Sequence, residues 1–187
     1  ITGWKRLPDS HWYYFDETGV LQHGWLLDNG NWYYLNASGF VVTGWQKLPD
    51  GHCYYFNGSG ILQHGWLLDN GNWYYLNGSG FMVTGWQKMP DGNWYYFNGS
   101  GVLQHNWVRY SGNWYYLNAS GFMVTGWQRL PDGNWYYFDG SGIMQTGWLN
   151  RGGSWYYFYP GGNMASSTTL TLGGTRYTFD ASGRWVA

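Results

Sequence analysis

Aromatic side chains at a fixed spacing are the residues of this sequence that could do chemistry. A Gly-Trp pair, or its equivalent, recurs every 20 or 21 residues, and a Trp-Tyr-Tyr-Phe/Leu block follows each pair. The first set of tryptophans is Trp4, Trp25, Trp45, Trp66, Trp86, Trp107, Trp127 and Trp148, and the blocks begin at Trp12, Trp32, Cys53, Trp73, Trp94, Trp114, Trp135 and Trp155. Clustered ring faces attract a quaternary ammonium ion, which is cationic but cannot donate a hydrogen bond. The spacing therefore predicts a repeated site for a group such as choline.

The blocks also predict which rings share a face. Side chains alternate along a strand, so Trp12 and Tyr14 share one face, and Tyr13 and Phe15 share the other. One face is expected to pack inward and the other to present two rings, with the Gly-Trp ring added across the turn. An apolar residue two positions after each Ser-Gly glycine would form a floor. These floor residues are Leu21, Val41, Leu62, Met82, Leu103, Met123, Met144 and Met164.

The elements that must position these rings are β-hairpins. Gly-Trp begins one strand, Pro-Asp-Gly or Asn-Gly supplies the turn, and Trp-Tyr-Tyr-Leu returns. The sequence predicts an all-β fold, a solenoid of tandem β-hairpins with about nine repeats of 20–21 residues. A β-propeller is the alternative, because two adjoining repeats together span 41 residues and supply four strands, as one blade does.

The domain organisation is predicted to be one module over residues 1–187. Hairpin repeats fill 1–164, and a degenerate hairpin over 165–187 still alternates but has lost most of its aromatic residues. We expect it to cap the open end of the stack. A monomer is favoured, whereas Trp185 leaves a dimer through the C-terminal hairpins as the alternative.

Composition excludes several classes of partner. The chain has 9 basic and 10 acidic residues, and charged residues make up only 10%. Nucleic acids and anionic membranes both require clustered Lys and Arg, so neither is an expected partner. No apolar run approaches the roughly 18 residues of a transmembrane helix, so no membrane insertion is expected. The chain begins in the middle of the repeat pattern, which is typical of a mature segment or an excised module.

Catalytic and metal-binding roles are not predicted. The aspartates lie mostly in turns, where turn formation explains them, and Glu17 is the only glutamate. The histidines His23, His64 and His105 recur every 41 residues, so they do not converge on one point as metal ligands must. Cys53 replaces an aromatic residue and has no partner cysteine. We predict a non-catalytic segment without catalytic residues, metal or cofactor, whose parent protein could still be an enzyme.

The repeat resembles a known family. The copy from Gly71 to Trp86, GNWYYLNGSGFMVTGW, is similar to the choline-binding (cell-wall-binding) repeat, and the similarity covers nearly the whole chain. The resemblance implies a left-handed superhelix of hairpins that holds choline residues of teichoic or lipoteichoic acid between consecutive hairpins. It also implies a secreted protein at the bacterial cell surface, and a parent that is a cell-wall hydrolase or a surface protein.

Two alternatives to choline remain at this point. Related repeats occur in glucan-binding proteins, and Trp and Tyr faces also stack on sugars, so binding of an α-glucan or another polysaccharide is the second hypothesis. A structural spacer is the third.

The family pattern takes two tryptophans from one repeat and a tyrosine from the next. Strand parity selects the second tyrosine of each block. The predicted choline cages are Trp4, Trp12 and Tyr34; Trp25, Trp32 and Tyr55; Trp66, Trp73 and Tyr96; Trp86, Trp94 and Tyr116; Trp107, Trp114 and Tyr137; and Trp127, Trp135 and Tyr157. The floor residues assigned to these sites are Leu21, Met82, Leu103, Met123 and Met144.

Two further positions depart from the pattern. Cys53 stands where the site of Trp45 and Tyr75 should have a second tryptophan. Thr178 stands where the site of Trp148 and Trp155 should have a tyrosine. Both sites are expected to bind weakly or not at all.

Overall fold

A computed structural model describes residues 1–186 and shows tandem antiparallel hairpins. The strands are β1 Gly3–Arg6, β2 Trp12–Phe15, β3 Gly24–Asp28, β4 Asn31–Leu35, β5 Gly44–Lys47, β6 Cys53–Phe56, β7 Gly65–Asp69, β8 Asn72–Leu76, β9 Gly85–Lys88, β10 Trp94–Phe97, β11 Asn106–Tyr110, β12 Asn113–Leu117, β13 Gly126–Arg129, β14 Trp135–Phe138, β15 Gly147–Arg151, β16 Ser154–Phe158, β17 Thr168–Leu172, β18 Thr175–Phe179 and β19 Trp185–Val186. Consecutive strands pair to give hairpins 1 to 9 among the described residues.

The turns divide hairpins 1 to 8 into two kinds, numbered odd and even. In even hairpin 2 the turn residues Asn29 and Gly30 have φ of 47° and 79°. Such a two-residue turn with positive φ matches the twist of the strands that it joins. Hairpins 1, 3, 5 and 7 use a longer turn that begins with Pro-Asp, in which Gly51 has φ of 87°, whereas hairpin 9 has a two-residue turn of Gly173 and Gly174. Both turn types agree with the sequence.

Strand register fixes two faces on each hairpin. In hairpin 6, Trp107 lies opposite Tyr116, and Arg109 lies opposite Trp114. These side chains form what we call the front face. The alternating residues, among them Tyr115 and Leu117, form the back face.

The back face supplies the core. From hairpin 2 onwards the last residue of each block is almost completely buried, whereas the front-face tryptophans Trp107 and Trp114 remain 38% and 41% exposed. The largest fully buried side chains are Leu35, Phe56, Leu76, Phe97, Leu117, Phe138, Phe158 and Phe179. The prediction that one face packs inward is confirmed.

The loop after each hairpin ties that hairpin to the previous one. The Asn57 side chain accepts hydrogen bonds from the Ser59 and Ile61 amides, which closes the loop. The Leu62 amide then donates to the Trp32 carbonyl of the preceding hairpin at 2.8 Å. A Cβ at Gly80 would lie 2.7 Å from Leu62, so the Ser-Gly glycine leaves room for the floor residue.

The sheets rule out the propeller. Each sheet in residues 1–186 has two strands, except the last, where β19 joins β17 and β18. A propeller blade needs four, so that alternative is wrong. The all-β fold of about nine hairpins is confirmed, and the left-handed sense stays a prediction.

The chain separates into two compact units. Among the described residues, the first contains 1–85 and 97–103, and the second contains 86–96 and 104–186. No helix with the length and apolar character of a membrane span occurs in the described part of the chain.

Candidate functional site

Trp107 and Trp114 of hairpin 6 form the walls of an open cavity of about 360 Å³. Their ring centroids are 6.2 Å apart and their planes are nearly perpendicular, at 86°. Tyr136 of hairpin 7 closes a third side, with its ring 5.2 Å from Trp107. Met144 lines the same cavity, which Pro160 and Gly161 border. We call the set of Trp107, Trp114, Tyr136 and Met144 the Trp107 cage.

The floor residue is held by its backbone. The Met144 amide donates to the Trp114 carbonyl at 2.8 Å, so the methionine is fixed beside the second tryptophan. A Cβ at Gly162 would overlap the Met144 sulfur, and glycine is therefore required where the next loop crosses the floor. Met144, one of the predicted floor residues, lines this cage.

The same arrangement recurs, and each cage is named after its first tryptophan. Further cages with three or more rings are Trp4 with Trp12, Tyr33 and Val41; Trp25 with Trp32, Tyr54 and Leu62; Trp86 with Trp94, Tyr115 and Met123; Trp127 with Trp135, Tyr156 and Met164; and Trp148 with Trp155, Tyr177 and Trp185. Trp66 and Trp73 pair at 6.2 Å, like Trp25 and Trp32 at 6.1 Å.

The tyrosine of each cage differs from the one that the sequence predicted. The predicted second tyrosines each lie beside the Gly-Trp tryptophan of their own hairpin, with ring centroids 5.0–5.3 Å apart. These residues are Tyr34, Tyr55, Tyr96, Tyr116, Tyr137 and Tyr157. The first tyrosine of the next block meets the preceding tryptophans instead, as Tyr54 meets Trp25 at 5.2 Å.

Stacking explains this correction. Within each unit, successive hairpins meet front face to back face, so the tryptophans of one hairpin face the back of the next. The parity argument placed all three rings on front faces, which cannot meet when the hairpins stack in one direction. The back-face tyrosine is therefore both a packing residue and a cage wall.

The floor residues, like the tyrosines, contact the hairpin that precedes their own. The amides of Met123 and Leu103 donate to the Trp94 and Trp73 carbonyls, so each floor belongs to the preceding hairpin. Met82 donates in the same way to Cys53, and therefore lies at the incomplete site. Leu21 follows hairpin 1 and pairs with Phe15 of that hairpin. It has no preceding block in residues 1–186, so it lines no cage there.

The two irregular positions have different outcomes. Cys53 leaves the Trp45 site with Tyr74, whose ring is 4.8 Å from Trp45, and no second tryptophan. Thr178 does not damage the last site, because that cage uses Tyr177, 4.8 Å from Trp148. The Thr178 hydroxyl instead bonds Thr169, at 3.0 Å. The geometric reason for expecting weak binding there was wrong.

Trp185 is a cage residue that the sequence analysis did not find. It follows Gly183 by two positions, so it occupies the floor position that methionine holds in other cages. Its ring lies 6.2 Å from Trp148 and 5.6 Å from Tyr177. Counting from the Ser-Gly glycine would have identified it.

Hydrogen bonds keep the odd-hairpin tyrosines in place and neutral. The Tyr136 hydroxyl donates to the Asp132 carboxylate at 2.7 Å, and Tyr54 and Tyr95 bond Asp50 and Asp91 alike. Burial, with the carboxylate as acceptor, raises the pKa of Tyr136 to about 12. The residues that line the Trp107 cage are themselves uncharged. The arrangement offers ring faces and a thioether to an apolar cation.

Comparisons with known proteins agree with this geometry. The choline-binding repeat family matches residues 1–41, 42–84, 83–126 and 124–169. No curated protein sequence matches the chain.

Solved structures of Streptococcus pneumoniae proteins share the fold. CbpJ is 36% identical, with a TM-score of 0.89, over 100% of this chain and 71% of that one. Choline binding protein F is 39% identical, with a TM-score of 0.84, over 94% of this chain and 61% of that one. The choline-binding domain of CbpL is 30% identical, with a TM-score of 0.71, over 100% and 98%.

The family match spans most of the sequence, and the hairpins, ring clusters and floor residues recur with it. Proteins of this family are associated with the cell wall. The chain belongs to the choline-binding repeat family and is a repeat binding module that anchors its protein to the cell wall.

Proposed function

We propose that each complete cage of this chain binds one choline group, with the two tryptophans, the first tyrosine of the next block and the floor residue as its walls. The observation that carries the proposal is the Trp107 cage, where ring faces surround a cavity lined by uncharged residues. A trimethylammonium group gains about 0.5–2 kcal/mol from each ring and needs no acceptor. A sugar would need polar partners for its hydroxyl groups, which the walls of this cage supply only sparsely.

Binding strength on a wall comes from several cages acting together. One cage must offset the ordering of its ligand, so its affinity for free choline is weak. A polymer with many choline groups engages several cages of one chain and raises the effective concentration for each next contact. We propose firm retention on choline-bearing teichoic or lipoteichoic acid with millimolar-range affinity for free choline, an order-of-magnitude figure.

The rest of the assignment concerns the protein in its setting. We propose that the segment has no catalytic activity of its own, acts as a monomer, and is secreted to the bacterial surface as the targeting part of a wall hydrolase or surface protein. Family membership supports the location and the binding role. The ninth hairpin supports the monomer, since its front face carries the polar residues Thr169, Thr171 and Arg176.

Affinity chromatography tests the ligand class. The protein is applied to a quaternary-amine resin and washed first with dextran and then with choline chloride at equal ionic strength. We expect retention through the dextran step and release by choline. Release by dextran would replace choline with a polysaccharide ligand, and failure to bind either resin or polysaccharide would leave a structural spacer.

A further inference from the structure

The cages of the odd hairpins differ in the residue that ends the first strand of the following even hairpin. That position holds Asp28, Asp69, Tyr110 and Arg151 in hairpins 2, 4, 6 and 8. It lies on the back face, because Asp28 is two residues after Leu26 and opposite Asn31. It therefore faces the tryptophan of the preceding odd hairpin.

In the first unit this residue is an acid bonded to the cage. The Trp4 indole N–H donates to the Asp28 carboxylate at 3.0 Å. Trp45 donates to Asp69 in the same way, at 3.1 Å. The carboxylate accepts a hydrogen bond from the indole N–H at the positive edge of the ring. Its negative charge also attracts a cation that lies on the face of the same ring.

In the second unit the same position holds a ring and then a base. Tyr110 lines the Trp86 cage, with its ring 6.4 Å from Trp86. The Arg151 guanidinium lies 5.0 Å from the ring centre of Tyr137, which itself contacts Trp127 at 5.2 Å. A fixed cation thus lies beside the Trp127 cage, where the Trp4 cage has an anion.

The remaining charges do not cancel this difference. Each of hairpins 1, 3, 5 and 7 ends its first strand with one base, Arg6, Lys47, Lys88 or Arg129, so that contribution is shared. Adding the two positions gives a charge of 0 for Arg6 with Asp28 and +2 for Arg129 with Arg151. A hydrogen bond with Tyr156, the third ring of the Trp127 cage, and the nearby Asp180 carboxylate both raise the pKa of Arg184, and the opposite charges of Arg184 and Asp180 together add no net charge there.

We propose that the residue ending the first strand of each even hairpin sets how strongly the preceding cage holds a quaternary ammonium group. The inference rests on the proposed function. The Asp28-backed Trp4 cage and the four-ring Trp86 cage bind the cation well. Among the odd-hairpin cages with all three rings, the Trp127 cage is the weakest and fills last.

Charge reversal tests the inference. The variants are Arg151→Asp and Asp28→Arg, and Arg176→Asp on the front face of hairpin 9 is the charge-matched control. Choline is titrated at pH 8 while sodium chloride keeps the ionic strength constant. The indole N–H signals of Trp127 and Trp4, assigned with Trp→Phe variants, report each cage separately by nuclear magnetic resonance.

A unit charge about 7 Å from a bound cation changes its binding constant about threefold in water. Reversal changes the charge by two, so Arg151→Asp should tighten choline at the Trp127 cage about five- to tenfold at low salt. Asp28→Arg should weaken the Trp4 cage by a similar factor. Both effects should shrink in about 1 M salt, where the screening length is about 3 Å.

The outcomes separate this inference from the proposed function. If no indole signal of the wild-type protein responds to choline, the proposed function fails. If the signals respond but Arg151→Asp and Asp28→Arg leave the two affinities unchanged, or change them no more than Arg176→Asp does, this inference is overturned and the proposed function stands.

Discussion

The two units carry the same repeat but surround their rings with different residues. The even hairpins of the first unit have Leu-Leu-Asp-Asn-Gly at 26–30 and 67–71. Those of the second unit read Val-Arg-Tyr-Ser-Gly at 108–112 and Leu-Asn-Arg-Gly-Gly at 149–153. The buried block ends and the positive-φ turn residues persist in both. The fold therefore depends on the core and the turns, while the residues at the cage rim are free to vary.

The first unit also contains a damaged site that the second lacks. Cys53 occupies the place of Trp94 in the Trp86 cage, whereas Met82 is fixed by its backbone just as Met123 is. The backbone of the site is preserved although one wall is missing. Ring content can therefore be exchanged between the units with little effect on the hairpins.

The largest effect on choline binding is expected from exchanging the second tryptophan of a cage with the cysteine of the Trp45 site. Trp114→Cys gives the Trp107 cage the composition of the Trp45 site, and the loss of one ring should weaken choline binding there about 2- to 30-fold, at about 0.5–2 kcal/mol per ring. Cys53→Trp should strengthen the Trp45 site by a similar factor. Indole signals followed during a choline titration measure both, with Cys53→Ser as the control. Equal affinities before and after the exchange would show that the second tryptophan is not a wall.

Variants of the second unit test which tyrosine, Tyr136 or Tyr137, forms a wall of the Trp107 cage. Tyr136→Leu removes a wall of the Trp107 cage and should weaken choline there about tenfold, because a ring contributes about 1 kcal/mol or more. Tyr136→Phe keeps the ring and should retain most of the affinity. Tyr137→Leu should leave the Trp107 cage unchanged, because Tyr137 lies beside Trp127. A loss confined to Tyr137→Leu would restore the strand-parity assignment.

Changing the floor residue of the Trp148 cage should have a smaller effect on choline binding. Trp185→Met gives the Trp148 cage the floor of the Trp107 cage, and we expect choline to bind there about two- to fivefold more weakly, because a methionine contact replaces one ring. Met144→Trp is the reciprocal change. Titration followed through the Trp148 and Trp107 indoles measures both. A tighter Trp148 cage after Trp185→Met would mean that the Trp185 ring obstructs the ligand.

The smallest of the expected effects is a loss of folding stability at alkaline pH, in both units. The pKa values of Tyr54, Tyr95 and Tyr136 are raised to about 12 from 10.0. Because the folded values exceed the unfolded one, this contribution is complete below pH 10 and is lost as the pH rises through about 12. Urea unfolding from pH 8 to 12 should show the decline, reduced in the Tyr136→Phe variant. Stability that rose with pH would contradict the assignment.

The sequence was sufficient for the elements because each one has a local cause. Asn29-Gly30 dictates a two-residue turn, and the Trp-Tyr-Tyr-Leu alternation dictates one buried face. The period of 20–21 residues gave the number of hairpins. These features require no knowledge of how one hairpin meets the next.

The cages could be predicted only in part, because they form between hairpins. The paired tryptophans and the apolar floor position follow from the repeat, but the assignment of Tyr136 and Met144 to the Trp107 cage follows from the direction of stacking. Asp28 and Arg151 likewise act on the hairpin before their own. Such contacts depend on the offset between neighbouring repeats, which spacing along the chain does not contain.

A crystal structure of the protein soaked in choline tests the central claim most directly. The account predicts a trimethylammonium group between Trp107, Trp114 and Tyr136, resting on Met144, with matching density in the other complete cages and little at Cys53. Density beside Tyr137 on the front face of its own hairpin, or cages left vacant at saturating choline, would contradict it.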